Sequence, residues 1–251
     1  MKTTNLRHDS LAHYLAAVGV IGLIEVGSRW SRGACEFGAP PDEVAAAIEA
    51  ALMDRKLLPV PVGAQPTPEH PLWCNRARRS LSRGVADARA WLLDMDADQR
   101  AAELAALLGL SEGPIQYSLP KGPRPNPNWN LGTLMPAVIG DPPAALASAW
   151  LPVLAWEAQR LLLTTELRTD DAVQGAGGQM EGDVYSWLAL EWCEPLTVAE
   201  VFALLNGGPQ RWHFCGRKTP FLRTVYHLRD TAGGGKTLEF CRGQSWTGVI
   251  G

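Results

Sequence analysis

The stretch SLAHYLAAVGVIGLIE, residues 10–25, decides how the rest of the chain must be arranged. It starts after only nine residues, is almost uninterruptedly apolar, and carries Gly19 and Gly22 in its middle. A secretion signal would need a basic start and a small-residue cleavage site, whereas Asp9 and His13 flank or interrupt this run and Glu25 ends it. A membrane span needs roughly 20 apolar residues, and Leu11 to Val26 falls short with two polar residues inside it. Nor do Gly19, Gly22 and Gly27 follow the G-x-G-x-x-G spacing of a dinucleotide turn, and no strand is read before them. What remains is a helix capped by Asp9 or Ser10 and buried on most sides. Its glycines admit a neighbouring backbone, at about 1 kcal/mol each relative to alanine.

Working outward, PPDEVAAAIEAALMDRK predicts a helix over 43–56 with Asp42 as its N-cap and basic residues in its last turn. Five prolines in residues 57–72 make that stretch an extended connector. RARRSLSRGVADARAWLL and DQRAAELAALLGL read as helices, the second closing on Gly109 as the C′ residue. Residues 118–132, SLPKGPRPNPNWNLG, deny both helix and central strand. Pro143 to Leu163 reads as a long helix kinked or broken at Pro152, and TDDAVQGAGGQMEGD as a glycine-rich mobile loop. In TVAEVFALLNGG, Thr197 and Glu200 form a capping box. RWHFCGR, FLRTVYHLR and TLEFCR alternate with period two and predict a three-stranded antiparallel meander. The expected fold is therefore α+β, a mostly helical body with a small antiparallel β-sheet in the C-terminal third. It divides into a mainly helical region, 1–132, and a helix-plus-sheet region, 133–251, either as two units or as one continuous domain.

With 251 residues, 46% apolar and 20% charged, the chain can build a substantial core. Five scattered cysteines suit a reducing compartment, and the expected location is cytoplasmic. The net charge of −3 conceals an asymmetry: residues 206–251 hold seven basic side chains against Asp230 and Glu239, a balance of +5, so everything before them sums to −8.

Three groups are candidates for nucleic-acid contact. In the meander, Arg223 and Arg229 stand on one strand face, and Arg211, Arg217 and Lys218 extend the basic surface. On the helix after Trp73, Arg76, Arg79 and Arg83 share a side, either following phosphates or pairing with the segment of Asp94, Asp96 and Asp98. In the proline-rich loop, Lys121, Arg124, Asn126 and Asn128 are suited to base edges, asparagine to adenine and the cations to guanine. Gln174, Gly175, Gly177, Gly178 and Gln179 form a flexible loop that could line a groove. His213, Cys215 and His227 lie near one another, but with no C-x-x-C and no H-E-x-x-H no metal, cofactor or catalytic residue is expected. Two other readings stay open: an enzyme acting on a small molecule beneath a glycine-rich lid, and a structural adaptor whose Trp129 and Trp150 mark protein contacts.

The segment LAHYLAAVGV, residues 11–20, resembles the start of several large-subunit proteins of type I CRISPR effector (Cascade) complexes, particularly the type I-U or I-G group. YSWLALEWCEPL, residues 185–196, is similar to the second apolar segment of those proteins. The resemblance covers about a tenth of the chain and transfers no functional residue by motif match. It implies a non-catalytic subunit that assembles with a guide RNA and other effector subunits. Such a subunit helps read the protospacer-adjacent motif on double-stranded target DNA and recruits a helicase-nuclease in trans. Guide pairing would supply most of the specificity, leaving the protein a local basic track and a short base-reading loop.

Overall fold

The computed structural model describes residues 3–7, 11–60, 78–110, 148–162, 164–165, 174–175, 178–181, 184–206, 223–230, 238–240 and 244–246. Helix α1, Leu11–Ile24, is its centre: every residue from Tyr14 to Ile21 is buried. It lies against α5, Trp150–Glu157, all eight of whose residues are buried too. Two such helices approach closely only where side chains are missing, and Gly19 supplies the gap. A Cβ there would collide with the Leu154 carbonyl oxygen and stand 3.0 Å from the Ala158 nitrogen. One turn on, a Cβ at Gly22 would meet Arg160 Cβ and Leu161 Cγ at 3.0 Å. No helix among the described residues is long and apolar enough to cross a membrane.

The expected placement of the sheet is overturned. A three-stranded antiparallel sheet stands at the amino terminus, inside the region read as mainly helical, and a strand does precede α1. Its strands are β1 (Thr3–Arg7), β2 (Ser28–Ser31) and β3 (Ala34–Phe37), in the order β1-β3-β2. The physical reason is the turn between β2 and β3. Arg32 and Gly33 take φ of 51° and 77°, so two consecutive left-handed residues join the strands in the primed turn that matches their twist. Register then sets Trp30 opposite Cys35 and Arg29 opposite Glu36, the latter pair bridged at 2.7 Å. The register of β1 on β3 slips between Thr3 and Arg7, and the Thr4 hydroxyl bridges the irregularity. It donates to the Cys35 carbonyl at 2.8 Å and accepts from the Leu6 N–H at 3.1 Å.

Further strands form a seven-stranded antiparallel sheet in the order β10-β8-β7-β6-β5-β4, with β9 also on β8. They are β4 (Thr164–Thr165), β5 (Gln174–Gly175), β6 (Gly178–Glu181), β7 (Val184–Leu190), β8 (Arg223–Asp230), β9 (Leu238–Phe240) and β10 (Gln244–Trp246). The chain leaving β7 then closes the outer edge of β2: Trp30 N–H donates to the Trp192 carbonyl at 2.7 Å, and Ser28 and Leu196 exchange both backbone bonds. The first expected meander strand, residues 211–217, lies outside the described residues.

Four helices complete the body. In α2, Pro41–Met53, Pro41 fills the first helical position and Asp42 sits within the first turn, so Asp42 is not the N-cap. α3 runs Arg78–Asp94, and α4 runs Ala97–Leu107 behind an N-cap in which Asp96 accepts from the Asp98 and Gln99 amides. Gly109, at φ 73°, ends α4, and the Asn5 amide donates to the Ala106 carbonyl at 2.8 Å, tying that end to β1. In α6, Val198–Asn206, the Thr197 amide donates to Glu200 at 2.9 Å and Glu200 N–H returns to the Thr197 hydroxyl. Pro152 does not kink α5; it occupies the first turn, where no intrahelical N–H is needed. α5 then tightens into a 3-10 turn, Ala158–Arg160.

Candidate nucleic-acid interface

Arg79 and Arg83 fall within the unbroken helix α3, whose buried line is Val85, Ala88 and Leu92. Asp87, Ala90 and Asp94 are exposed. At 3.6 residues per turn, Arg79 and Arg83 fall on the line that continues back from Asp87 and Ala90. Asp94 is 11 residues beyond Arg83 on the same helix, roughly 17 Å at 1.5 Å per residue. Asp96 is committed to capping α4. Arg76 lies outside the described residues.

Arg223 and Arg229 both belong to β8, but their register partners differ in character. Arg223 is opposite Leu190 on one side and Trp246 on the other, while Arg229 is opposite Glu239. His227 is opposite Ser186. Gln174, Gly175, Gly178 and Gln179 stand on the paired strands β5 and β6, with Gln174 opposite Gln179 and Gly175 opposite Gly178, in place of the expected flexible loop. Gly177, Lys121, Arg124, Asn126, Asn128, Arg211, Arg217 and Lys218 lie outside the described residues, as do His213 and Cys215.

Most described cations inside the body are already engaged. Arg100, 7% exposed, binds Glu49 at 2.9 Å and donates to the Leu92 and Met95 carbonyls. Arg160 binds Glu157 at 2.7 Å, and Arg89 stands 3.7 Å from the same carboxylate. These side chains hold the fold and are not free for phosphate. The sequence reading missed Glu157, Arg89 and Arg160 as a group. The signal available was a glutamate inside the apolar run WLPVLAWEAQR with an arginine three residues on.

Among the described residues, Trp30, Trp150, Trp156 and Trp192 are buried. Trp150 is fully buried and its indole donates to the Arg100 carbonyl at 3.0 Å, so it is a core residue and not a protein-contact marker. Trp30 stacks on Tyr14 with centroids 5.4 Å apart and meets Trp192 edge-on at 6.0 Å. Burial pushes the Tyr14 phenol and the Cys35 thiol up, and partial burial with nearby Glu191 and Glu194 does the same to Cys193. Neither described thiol therefore has the lowered pKa of a nucleophilic cysteine. No group of three or more His, Cys, Asp or Glu side chains among the described residues could hold a metal ion. No protein-family model matches the chain, and no curated protein matches it.

Proposed function

We propose that this chain is a non-catalytic nucleic-acid-binding subunit of a cytoplasmic CRISPR interference complex. In this role it helps recognise the protospacer-adjacent motif of double-stranded target DNA alongside the guide RNA and its partner subunits. A helicase-nuclease is then recruited in trans. The class of assembly rests on the resemblance at residues 11–20, which include Tyr14 to Val20 of the buried stretch of α1. The observation that carries the binding role is charge segregation. Residues 206–251 hold +5 against −8 elsewhere, and Arg79 and Arg83 stand four residues apart on α3. Local cationic tracks of this kind attract a phosphate backbone even when the net charge is −3.

The test is co-expression with candidate partner subunits, followed by identification of copurified RNA and by duplex binding across a salt series. Guide RNA in the complex and affinity that falls steeply with salt are expected. Absence of RNA together with salt-insensitive or absent DNA binding would overturn the reading.

A further inference from the structure

The segment Lys56–Val60 after α2 is neither helix nor strand, yet side chains from three elements grip its backbone. From the 3-10 turn, Arg160 donates to the Lys56 carbonyl at 2.7 Å. From α5, Glu157 accepts the Leu58 N–H at 2.8 Å and the Trp156 indole donates to the Pro59 carbonyl at 3.3 Å. From α3, Arg89 donates to the Leu58 carbonyl at 2.8 Å.

Glu157 is the hub, with no solvent exposure at all. One carboxylate oxygen holds the Leu58 N–H and faces Arg89; the other accepts from Arg160 Nε. A single carboxylate thus both grips the segment and aims the two guanidinium groups that grip it elsewhere. Apolar contacts add to this grip: Leu57 is buried, and Leu58 and Val60 are half-buried against the core. Holding by a few charge-assisted hydrogen bonds is strong while complete and is lost together when its hub is lost. We propose that Lys56–Val60 is a strap that opens as a unit below the threshold of global unfolding, with Glu157 as its latch.

The strap also links α5 to α3, because Arg89 belongs to the helix that carries Arg79 and Arg83. Opening would remove the strap's tie between the two helices, which also pack on each other directly. This consequence for binding rests on the nucleic-acid reading; the strap itself does not.

Hydrogen–deuterium exchange with mass spectrometry on the full chain tests the idea. The Leu58 amide, which Glu157 accepts, is expected to exchange on the order of tenfold faster, after correction for intrinsic rates, than those of Tyr14–Ile21 in α1. Glu157→Gln should accelerate the strap by roughly another tenfold and leave α1 unchanged. Strap amides that exchange in step with α1 in the native chain, or a variant that accelerates both alike, would overturn the proposal. If Glu157→Gln does not fold, Arg89→Gln, at a partly exposed position, removes the grip on the Leu58 carbonyl. Faster exchange confined to the strap supports the latch, and no change or a uniform change refutes it. These readouts are independent of whether the chain binds DNA.

Discussion

Gly19 is where a single methyl group has the largest predictable effect. Alanine in a helix interior normally gains about 1 kcal/mol over glycine, but here its Cβ would occupy the position of the Leu154 carbonyl, which belongs to a buried backbone. Overpacking of this sort costs roughly 1–3 kcal/mol or more, so Gly19→Ala should lower the thermal midpoint despite its better propensity. Gly22→Ala meets Arg160 Cβ and Leu161 Cγ at 3.0 Å, a milder approach than the backbone collision at Gly19, and should cost less. Parallel melts of the two variants check the order. Leucine at both positions should abolish folding or assembly; a folded, assembled variant with only a DNA defect would contradict the packing role. Cys35 makes a chemical prediction at the same scale. It is fully buried with its thiol pushed up, so native-state alkylation followed by peptide mapping should modify it only once the chain unfolds.

At the scale of elements, capping and charge placement can be tested separately. Thr197→Ala removes the hydroxyl that receives Glu200 N–H and should cost about 1 kcal/mol by denaturant midpoint, without changing the denaturant dependence. Replacing Arg79 and Arg83 with glutamine should weaken duplex binding across sequences and reduce the slope of log affinity against log salt by roughly 2, if each contacts one phosphate. The helices were legible because their signals are local: the Thr197–Glu200 box, the Gly109 stop and the apolar density of α1 all lie within a few residues. The amino-terminal hairpin was not, since Trp30, Cys35 and Phe37 alternate over strands of only four residues and Arg-Gly is a weak turn signal beside Asn-Gly. β5 and β6 were missed for a related reason: a sheet ladder is made by backbone, and glycine-rich sequence reads as loop. The basic residues of the candidate interface could be named from sequence, but not their neighbours. That Arg229 faces Glu239, or that Glu157 holds an amide 99 residues away, depends on long-range register.

The molecule as a whole should carry the signature of the buried Glu157 in its response to pH. Burial raises the Glu157 carboxyl above the ordinary glutamate value, and its two arginines bring it only part of the way back. The folded chain therefore keeps that proton to higher pH than the unfolded chain does. Its contribution is favourable below the unfolded value and declines as pH rises from about 4.5 through the folded value. Urea midpoints measured across this range should show a fall that Glu157→Gln flattens; an unchanged profile in the variant would assign the fall to other groups.

The Tyr14 hydroxyl donates to the Leu190 carbonyl at 3.0 Å and accepts the Leu190 N–H at 3.1 Å, joining positions 176 residues apart. During synthesis, α1 must wait for its partners, because α5 and the end of β7 emerge more than a hundred residues after it. A nascent chain stopped before Trp150 would expose the face of this apolar helix that α5 covers, and should depend on chaperones or aggregate.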